Sequence, residues 1–313
     1  MRTVGFMLLP AFPLIPFAAG VELLRLTNRE LKSEYYRWQL ISLDGEPVST
    51  SSGIEITPDV SLSDAKALDL IVVVGGEGVE HYRERATFKH LLRLAKEGVA
   101  IGAVTLGSFV LARAGLLEGY RCTVHWEYLE SFQESFPHLD VQKEVYEIDR
   151  DRLTCSGGTA ALDMMLAYIG EEHGGRLAQV VSELVLHDRI RAADEPQRMP
   201  LTVRLGVSHP KLVRVVEMME RNIDTVTPPY QLAHEVGLSG RQLERLFRKY
   251  LGTTPKRYHL QARLNRARQL LRQTTLSVLD VAVACGFSTA SHFTKSYRGR
   301  FNITPRGERS GIN

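Results

Sequence analysis

The sequence predicts two folds in one chain. The first is an α/β N-terminal domain, a mostly parallel sheet with helices on both faces; the second is an all-α C-terminal domain with two helix-turn-helix units. Three observations carry this reading. Apolar strand-like runs alternate with helix-like segments through about the first 190 residues. Charge is split unevenly: residues 201–313 hold 19 Lys and Arg against 7 Asp and Glu, a net of +12, whereas residues 1–200 carry a net of −9. Finally, an eight-residue pattern at residue 232 returns 49 residues later.

Composition narrows the alternatives. At 313 residues the chain exceeds a typical single domain, and with 44% apolar and 24% charged residues it is not disordered, collagen-like or disulfide-stapled. Cys122, Cys155 and Cys285 are too few and scattered for a disulfide framework or a zinc site, so no metal or cofactor is expected and the setting is expected to be reducing and cytoplasmic. Met1–Gly20 loosely resembles a secretory signal, but Pro10, Pro13 and Pro16 interrupt its apolar run, and a buried first strand is the better expectation. No run of ~18 apolar residues predicts a membrane span.

In order along the chain, strands are expected at Thr3–Leu9, Arg37–Ser42, Leu70–Val74, Val99–Val104 and Leu153–Cys155. Helices are expected at Phe17–Thr27, Thr87–Lys96, Phe109–Ala114 and Ala160–Gly170. Near-continuous apolar strands between helices argue for parallel pairing with both faces covered. Pro47–Pro58, rich in Ser and Thr around Gly53, reads as a hairpin or excursion. A long helix is expected from Gly175 to about Arg191. The segment 192–210 loses periodicity around Pro196, Pro200, Gly206 and Pro210 and reads as a linker. The predicted domains are therefore 1–191, the linker 192–210, and 211–313.

The repeat sets Leu232-Ala233-His234-Glu235-Val236-Gly237-Leu238-Ser239 against Val281-Ala282-Val283-Ala284-Cys285-Gly286-Phe287-Ser288. In each copy Ala allows two helices to approach, Gly takes a turn where positive φ is cheap, and the next apolar residue plugs the core. A second amphipathic helix follows each turn. Leu243, Leu246 and Phe247 are predicted to face inward in the first, Phe293 and Tyr297 in the second. The outward residues are candidates for base and phosphate contacts in double-stranded DNA: Arg241, Gln242, Arg245 and Arg248, then Ser288, Thr289, Ser291, His292, Lys295 and Arg298. One such helix alone would read as a solvated face; two in a domain of net +12 favour DNA.

Residues 211–306 resemble the AraC-type DNA-binding domain, in which one long helix, here about Pro255–Gln273, bridges two helix-turn-helix units. Gly252-Thr253-Thr254-Pro255 and Ile303-Thr304-Pro305 belong to the match. The resemblance implies two recognition helices entering successive major grooves on one DNA face. This sequence departs from the family after Pro305, where Arg306-Gly307-Glu308-Arg309 replaces an aromatic followed by Arg. A looser last turn is expected.

In the first half, Val99–Val104 runs into Thr105-Leu106-Gly107-Ser108 and a helix, a strand–turn–helix junction of the nucleophile-elbow kind. A glycine turn, Gly75-Gly76-Glu77-Gly78, offers backbone amides to an oxyanion or another anionic group. With Ala114–Gly119, His125-Trp126 and Cys155-Ser156-Gly157-Gly158-Thr159, these features resemble the PfpI-type branch of the class I glutamine-amidotransferase-like superfamily, in the GlxA-type regulators that fuse it to an AraC-type domain. Catalytic members carry Cys at the elbow, a nearby His and a carboxylate from the first helix region. Here those positions hold Thr105, His125 and Pro16.

A Thr hydroxyl needs a strong local base, so no catalysis is expected, with Thr105, Ser108 and Cys155 the only candidates. His125 reads equally as a histidine hydrogen-bonded at the sheet edge or as a ligand contact, and Cys122 and Cys155 as small buried hydrophobes. The expected effector site comprises Phe17, Glu22, Gly75, Gly76, Thr105, Leu106, His125 and Trp126. The chain is similar to regulators of quaternary-amine catabolism through Arg121–Glu127 and Leu186–Arg191. That similarity implies a ligand such as glycine betaine or carnitine, for which Phe12, Phe17 and Trp126 would form a cation–π cage.

The combined expectation is a metabolite-responsive activator, homodimeric, meeting DNA, a small-molecule effector and RNA polymerase, with no membrane partner. Its rivals are a DNA-targeted hydrolase or amidotransferase, and a ligand-independent DNA binder whose first domain only dimerises.

Overall fold

The computed structural model describes residues 1–311 and divides into two compact units, Met1–Gln197 and the remainder from Arg198. In the first, seven strands form one sheet in the order β10-β11-β7-β6-β1-β2-β5. These are β1 (Arg2–Leu8), β2 (Tyr36–Ser42), β5 (Val60–Ser61), β6 (Leu70–Gly75), β7 (Ala100–Thr105), β10 (Tyr146–Asp149) and β11 (Arg152–Cys155). Every pair is parallel except β10 with β11. The apolar run of β6 serves both faces by its period of two. Ile71 and Val73 enter the core beneath α2 (Arg85–Lys96) and α3 (Gly107–Arg113), and Val72 and Val74 enter the one beneath α1 (Leu14–Leu31) and α5 (Ala160–His173). The expected α/β class is thus present, with the elbow at the carboxyl end of the interior strand β7.

Smaller elements fill the connections. β3 (Val48–Ser49) and β4 (Glu55–Ile56) pair antiparallel, giving the expected hairpin around Gly53. β8 (Arg121–Cys122) and β9 (Asp140–Val141) form a parallel pair around α4 (Leu129–Ser135). Edge strand β10 was not expected from sequence. Its acidic alternation, Glu147 and Asp149, belongs to a strand hydrogen-bonded to β11 through a tight turn in which Arg150 has φ 56°.

Two expectations about the end of this unit are corrected. The helix from Gly175 stops as α6 (Gly175–Leu184), because Leu186 turns left-handed at φ 54° and Ser182 Oγ donates to the His187 carbonyl. Nor is 192–210 a free linker. The Val145 N–H donates to the Glu195 carbonyl, and the Gln197 amide donates to Thr123 and Glu144, so the chain stays pinned to the first unit as far as Gln197. Beyond it, α7 (Leu201–Leu205) and buried Val207 already belong to the second unit's core.

The second unit is helical: α8 (Pro210–Arg221), α9 (Pro229–Glu235), α10 (Gly240–Leu251), α11 (Pro255–Gln273), α12 (Val278–Ala284), α13 (Ala290–Phe301) and α14 (Pro305–Arg309). It has two small cores. Leu212, Val216, Leu232, Ala233, Leu243 and Phe247 form the first; Leu264, Ala267, Leu271, Val281, Ala282, Phe293 and Tyr297 form the second. α11 spans both, lending Tyr258 to one and Leu264–Leu271 to the other. The last turn is not loose. Thr304 caps α14, and buried Glu308 accepts from Tyr297, Arg268 and Arg272.

Candidate functional site

β7 ends in an elbow held by backbone geometry. Thr105 has φ 60°, a left-handed conformation that a β-branched residue adopts only when its surroundings impose it. The imposing contacts are short. A Cβ on Gly157 would lie 2.1 Å from Thr105 Oγ1, and one on Gly107 would lie 2.2 Å from the Val73 carbonyl. The turn therefore packs against both neighbours through glycine. From below, Arg113 donates to the carbonyls of Val79 and Glu80 and so supports the glycine turn; burial lowers its guanidinium pKa to about 10.

The groups a hydrolase would need are not assembled. Thr105 Oγ1 is buried with no hydrogen-bond partner among the described residues, so no base activates it. The Leu106 N–H, the amide after the elbow residue, donates to the Gly75 carbonyl at 3.1 Å and is not free for an oxyanion. Ser108 is fully buried and donates to the Thr123 carbonyl at 2.7 Å. Burial pushes the Cys155 thiol up to about 12, against the opposing effect of the nearby Gly157 and Thr105 amides, and it pushes the Cys122 thiol up to about 12 as well. His125 is half-buried and desolvation lowers its pKa. Its Nδ1 accepts from the Glu127 N–H at 3.3 Å and lies 3.8 Å from Glu127 Oε2, whose charge opposes the effect of burial.

Of the expected effector-site residues, the fold brings Gly75, Leu106, Thr105 and His125 together by direct contact: Leu106 N–H to Gly75 O, and His125 N–H to Thr105 O at 3.4 Å. Gly76 lies against the Ala11 carbonyl, and Trp126 stacks tilted on His125 at 5.5 Å. Two members do not join. Glu22 is on the exposed face of α1, paired with Arg25 at 2.6 Å. Phe17 is core: its ring meets Phe6 and Phe12 edge-to-face at 5.9 and 5.5 Å. Phe12 is likewise fully buried, so the expected aromatic cage is not formed; these rings hold α1 on the sheet.

The second unit presents two recognition faces. The first turn places Gly237 at φ 63° before α10, which Ser239 opens with a capping box: its hydroxyl accepts from the Gln242 N–H, and the Gln242 side chain accepts from the Ser239 N–H. Gln242 is thereby committed in part to the cap, leaving Arg241, Arg245 and Arg248 exposed along the helix. The second turn has Gly286 at φ 71°, where a Cβ would lie 2.4 Å from the Asp224 carbonyl. Arg263 donates to the carbonyls of Cys285 and Gly286 and stacks 4.1 Å from the Phe287 ring. Thr289 caps α13, and Ser288, Ser291, His292, Lys295 and Arg298 are exposed; Ser291, Lys295 and Arg298 line one groove of about 830 Å³. Glycine at both turns and a polar, cationic outer face on both following helices are what a paired helix-turn-helix reader requires.

Protein-family models agree with this division. A DJ-1/PfpI family model matches residues 14–171, and a helix-turn-helix domain model matches residues 232–310. The HTH-type transcriptional regulator GbdR of Pseudomonas aeruginosa is 48% identical over 99% of this chain and 84% of its own length. GlxA of Rhizobium meliloti, also an HTH-type transcriptional regulator, is 35% identical over 97% of this chain and 94% of its own. The chain belongs to the GlxA-type family of helix-turn-helix transcriptional regulators.

Among solved structures, an AraC family transcriptional regulator from Pseudomonas putida superposes with a TM-score of 0.55 at 30% identity, over 59% of this chain and all of that one. As a GlxA-type regulator the protein binds DNA through its C-terminal unit, and its N-terminal unit has the amidotransferase-like DJ-1/PfpI fold. Sequence reasoning missed the two arginines that support these sites. Arg113 sits in the apolar run Phe109–Ala114, a usable signal; Arg263 is one of many cations on α11 and gives none.

Proposed function

We propose that this GlxA-type regulator is a cytoplasmic, homodimeric transcription activator whose N-terminal unit holds a small effector at the elbow and does not turn it over. The carrying observation is the Thr105 elbow: the strained backbone of a catalytic site is kept, while the hydroxyl has no base and the adjacent amide is already bonded. A site that binds without reacting suits a sensor, because its occupancy then reports concentration. For the ligand, the resemblance to regulators of quaternary-amine catabolism supports glycine betaine or carnitine. With Phe12 and Phe17 in the core, Trp126 is the aromatic left to meet a trimethylammonium group, beside His125.

The test starts from duplexes selected out of a random pool by the full chain. The selected template is then transcribed by RNA polymerase with and without glycine betaine or carnitine. More transcript with ligand supports the reading, and less would make the protein a repressor. Ligand at roughly 100 times its dissociation constant adds ~2.7 kcal/mol to the stability of the unit that binds it, a shift readable by thermal melting. No shift with either compound would remove the quaternary-amine class. Amide or ester turnover that disappears in His125→Ala would overturn the non-enzymatic reading.

A further inference from the structure

The stretch that joins the two units is fastened directly to the elbow. We propose that residues 187–197 form a strap through which the state of the elbow is passed to the DNA-binding unit, with Gln197 and Arg191 as its two clips. This goes beyond the effector reading above: it concerns which part of the chain reads the site, whatever the ligand.

The first clip runs through a single peptide group. The Val124 carbonyl accepts from Gln197 Nε2 at 3.0 Å, and the N–H of the same peptide, belonging to His125, donates to the Thr105 carbonyl. A peptide group is rigid and planar, so tilting it at one end moves the other. Gln197 Nε2 also reaches Thr123 Oγ1 at 3.0 Å and the Glu144 carbonyl at 2.8 Å, while its Oε1 is buried without a hydrogen-bond partner. Thr105 Oγ1 is the same kind of orphan on the elbow side. Both ends of the clip thus hold a buried acceptor whose hydrogen-bonding capacity is unused, a costly arrangement that a small rearrangement would relieve.

The second clip leaves the elbow on its other side. Gly157 lies against Thr105, and two residues on, Thr159 Oγ1 accepts from Arg191 Nη2 at 2.9 Å. Arg191 also binds the fully buried carboxylate of Asp163 through its backbone N–H at 2.7 Å and its Nε at 2.9 Å, and His187 Nε2 joins the same carboxylate at 2.9 Å. Between the clips, the Val145 N–H donates to the Glu195 carbonyl, and Glu144 faces Pro196 in an isolated antiparallel bridge. The strap is therefore laid on the sheet edge and clipped at both ends to segments that touch Thr105. The next residue, Arg198, begins the DNA-binding unit.

Hydrogen exchange of the full chain tests this. Gln197→Ala is expected to speed exchange of the His125 amide by roughly tenfold or more, since local protection follows the free energy of local opening. Arg189→Ala breaks only the exposed Arg189–Glu195 pair and is expected to change strap amides without reaching the elbow. In the reverse direction, Thr105→Val removes the orphan hydroxyl at nearly constant shape and is expected to alter exchange across 187–197. Unchanged elbow exchange in Gln197→Ala together with unchanged strap exchange in Thr105→Val overturns the proposal. Glycine betaine serves as the probe in a last arm: protection changing at the elbow but not in the strap also overturns it. No change anywhere with betaine, alongside coupling in the two variants, would reject that ligand and leave the strap standing.

Discussion

The two helix-turn-helix copies use the same polar brace in different surroundings. In the first copy, Glu220 of α8 accepts from the Tyr258 hydroxyl at 3.3 Å and pairs with Arg204 at 2.7 Å, with 30% of its side chain exposed. In the second, Glu308 of α14 accepts from the Tyr297 hydroxyl at 3.0 Å and from Arg268 and Arg272 at 3.1 and 2.5 Å, with 4% exposed. The second copy also has Arg263 bound to its turn carbonyls, where in the first Lys211 reaches the Gly237 carbonyl at 3.2 Å from solvent. A repeated sequence motif therefore does not imply repeated energetics. The contacts that differ lie outside the repeat, on α8, α11 and α14, and burial decides what each is worth.

The largest expected effect comes from Glu308→Ala. It leaves the buried Tyr297 hydroxyl without an acceptor and two arginines without their carboxylate, a loss of about 3 kcal/mol by the usual cost of breaking a buried polar network. Exchange protection should fall across α12–α14 and remain unchanged across α8–α10. Equal loss in both copies would break the comparison. Arg263→Ala comes next, at roughly 2–3 kcal/mol, because it removes the donor that the Cys285 and Gly286 carbonyls share at a buried turn. Arg263→Lys should restore little, since a point-like ammonium does not reproduce the fork that serves both carbonyls.

Binding should not follow stability in this ranking. Arg245 and Lys295 are exposed on their recognition helices, and each alanine variant is expected to weaken operator binding by ~1–3 kcal/mol with no change in melting. A contact to a base edge relaxes preference at one position, whereas a phosphate contact weakens all sequences and flattens the salt dependence. Loss from one copy only would show that the two helices do not share recognition evenly.

How much of this was legible depends on what each feature needs from its neighbours. The span of α11 follows from the resemblance to the AraC-type domain, and the structure bounds it by a Thr254 cap with Pro255 in the first turn and by Thr274 at its end. The elbow was legible from the residues themselves: an apolar strand, a short turn and a helix follow one another locally. Groupings that need distance in space are mixed: Gly75, Thr105, Leu106 and His125 do meet, whereas others fail. Phe12 and Phe17 were given to a ligand because aromatics look alike in sequence, yet they are 5.5 Å apart in the core. The departure Arg306-Gly307-Glu308-Arg309 predicts a looser last turn, yet its Glu308 ties that turn to two other helices. The strap falls across the expected end of a helix near Arg191 and the start of the expected linker at 192, because hydrogen bonds from Gln197 and Arg191 leave no periodicity.

Acidification sharpens the contrast through named groups. Burial lowers the pKa of His259 on α11, with the nearby Arg263 adding to the effect, so the folded state binds a proton less readily than the unfolded one. Stability is then present above the ordinary imidazole value near 6.5 and lost as pH falls below it. Burial alone would raise the pKa of Glu308, but hydrogen bonds from Arg272, Arg268 and Tyr297 overcome it and hold the carboxylate below its ordinary 4.5. Its contribution is present above 4.5 and lost as pH falls through the lowered value. Protection of the helical unit should therefore fall in two acid steps, the lower one centred on α12–α14. His259→Gln should flatten the upper one, and Glu308→Gln the lower.

The smallest expected effect is the most discriminating. Glu220→Ala removes the same chemical partner from the first copy that Glu308→Ala removes from the second. Were the brace a requirement of the motif, the two losses would match. Here Arg204 and Glu220 are each partly exposed, at 25% and 30%, and water replaces whichever partner is removed, as it does for surface ion pairs worth ~0–1 kcal/mol. Tyr258 packs 5.8 Å from the Phe247 ring and is only partly buried, so in the variant its hydroxyl is expected to meet water instead of being stranded. Glu220→Ala is thus expected to lower protection of α8–α10 by less than about 1 kcal/mol, with the loss shrinking further in high salt because exposed charges are screened. A loss near that of Glu308→Ala, insensitive to salt, would mean that the first brace is as dry as the second and that burial does not separate the copies.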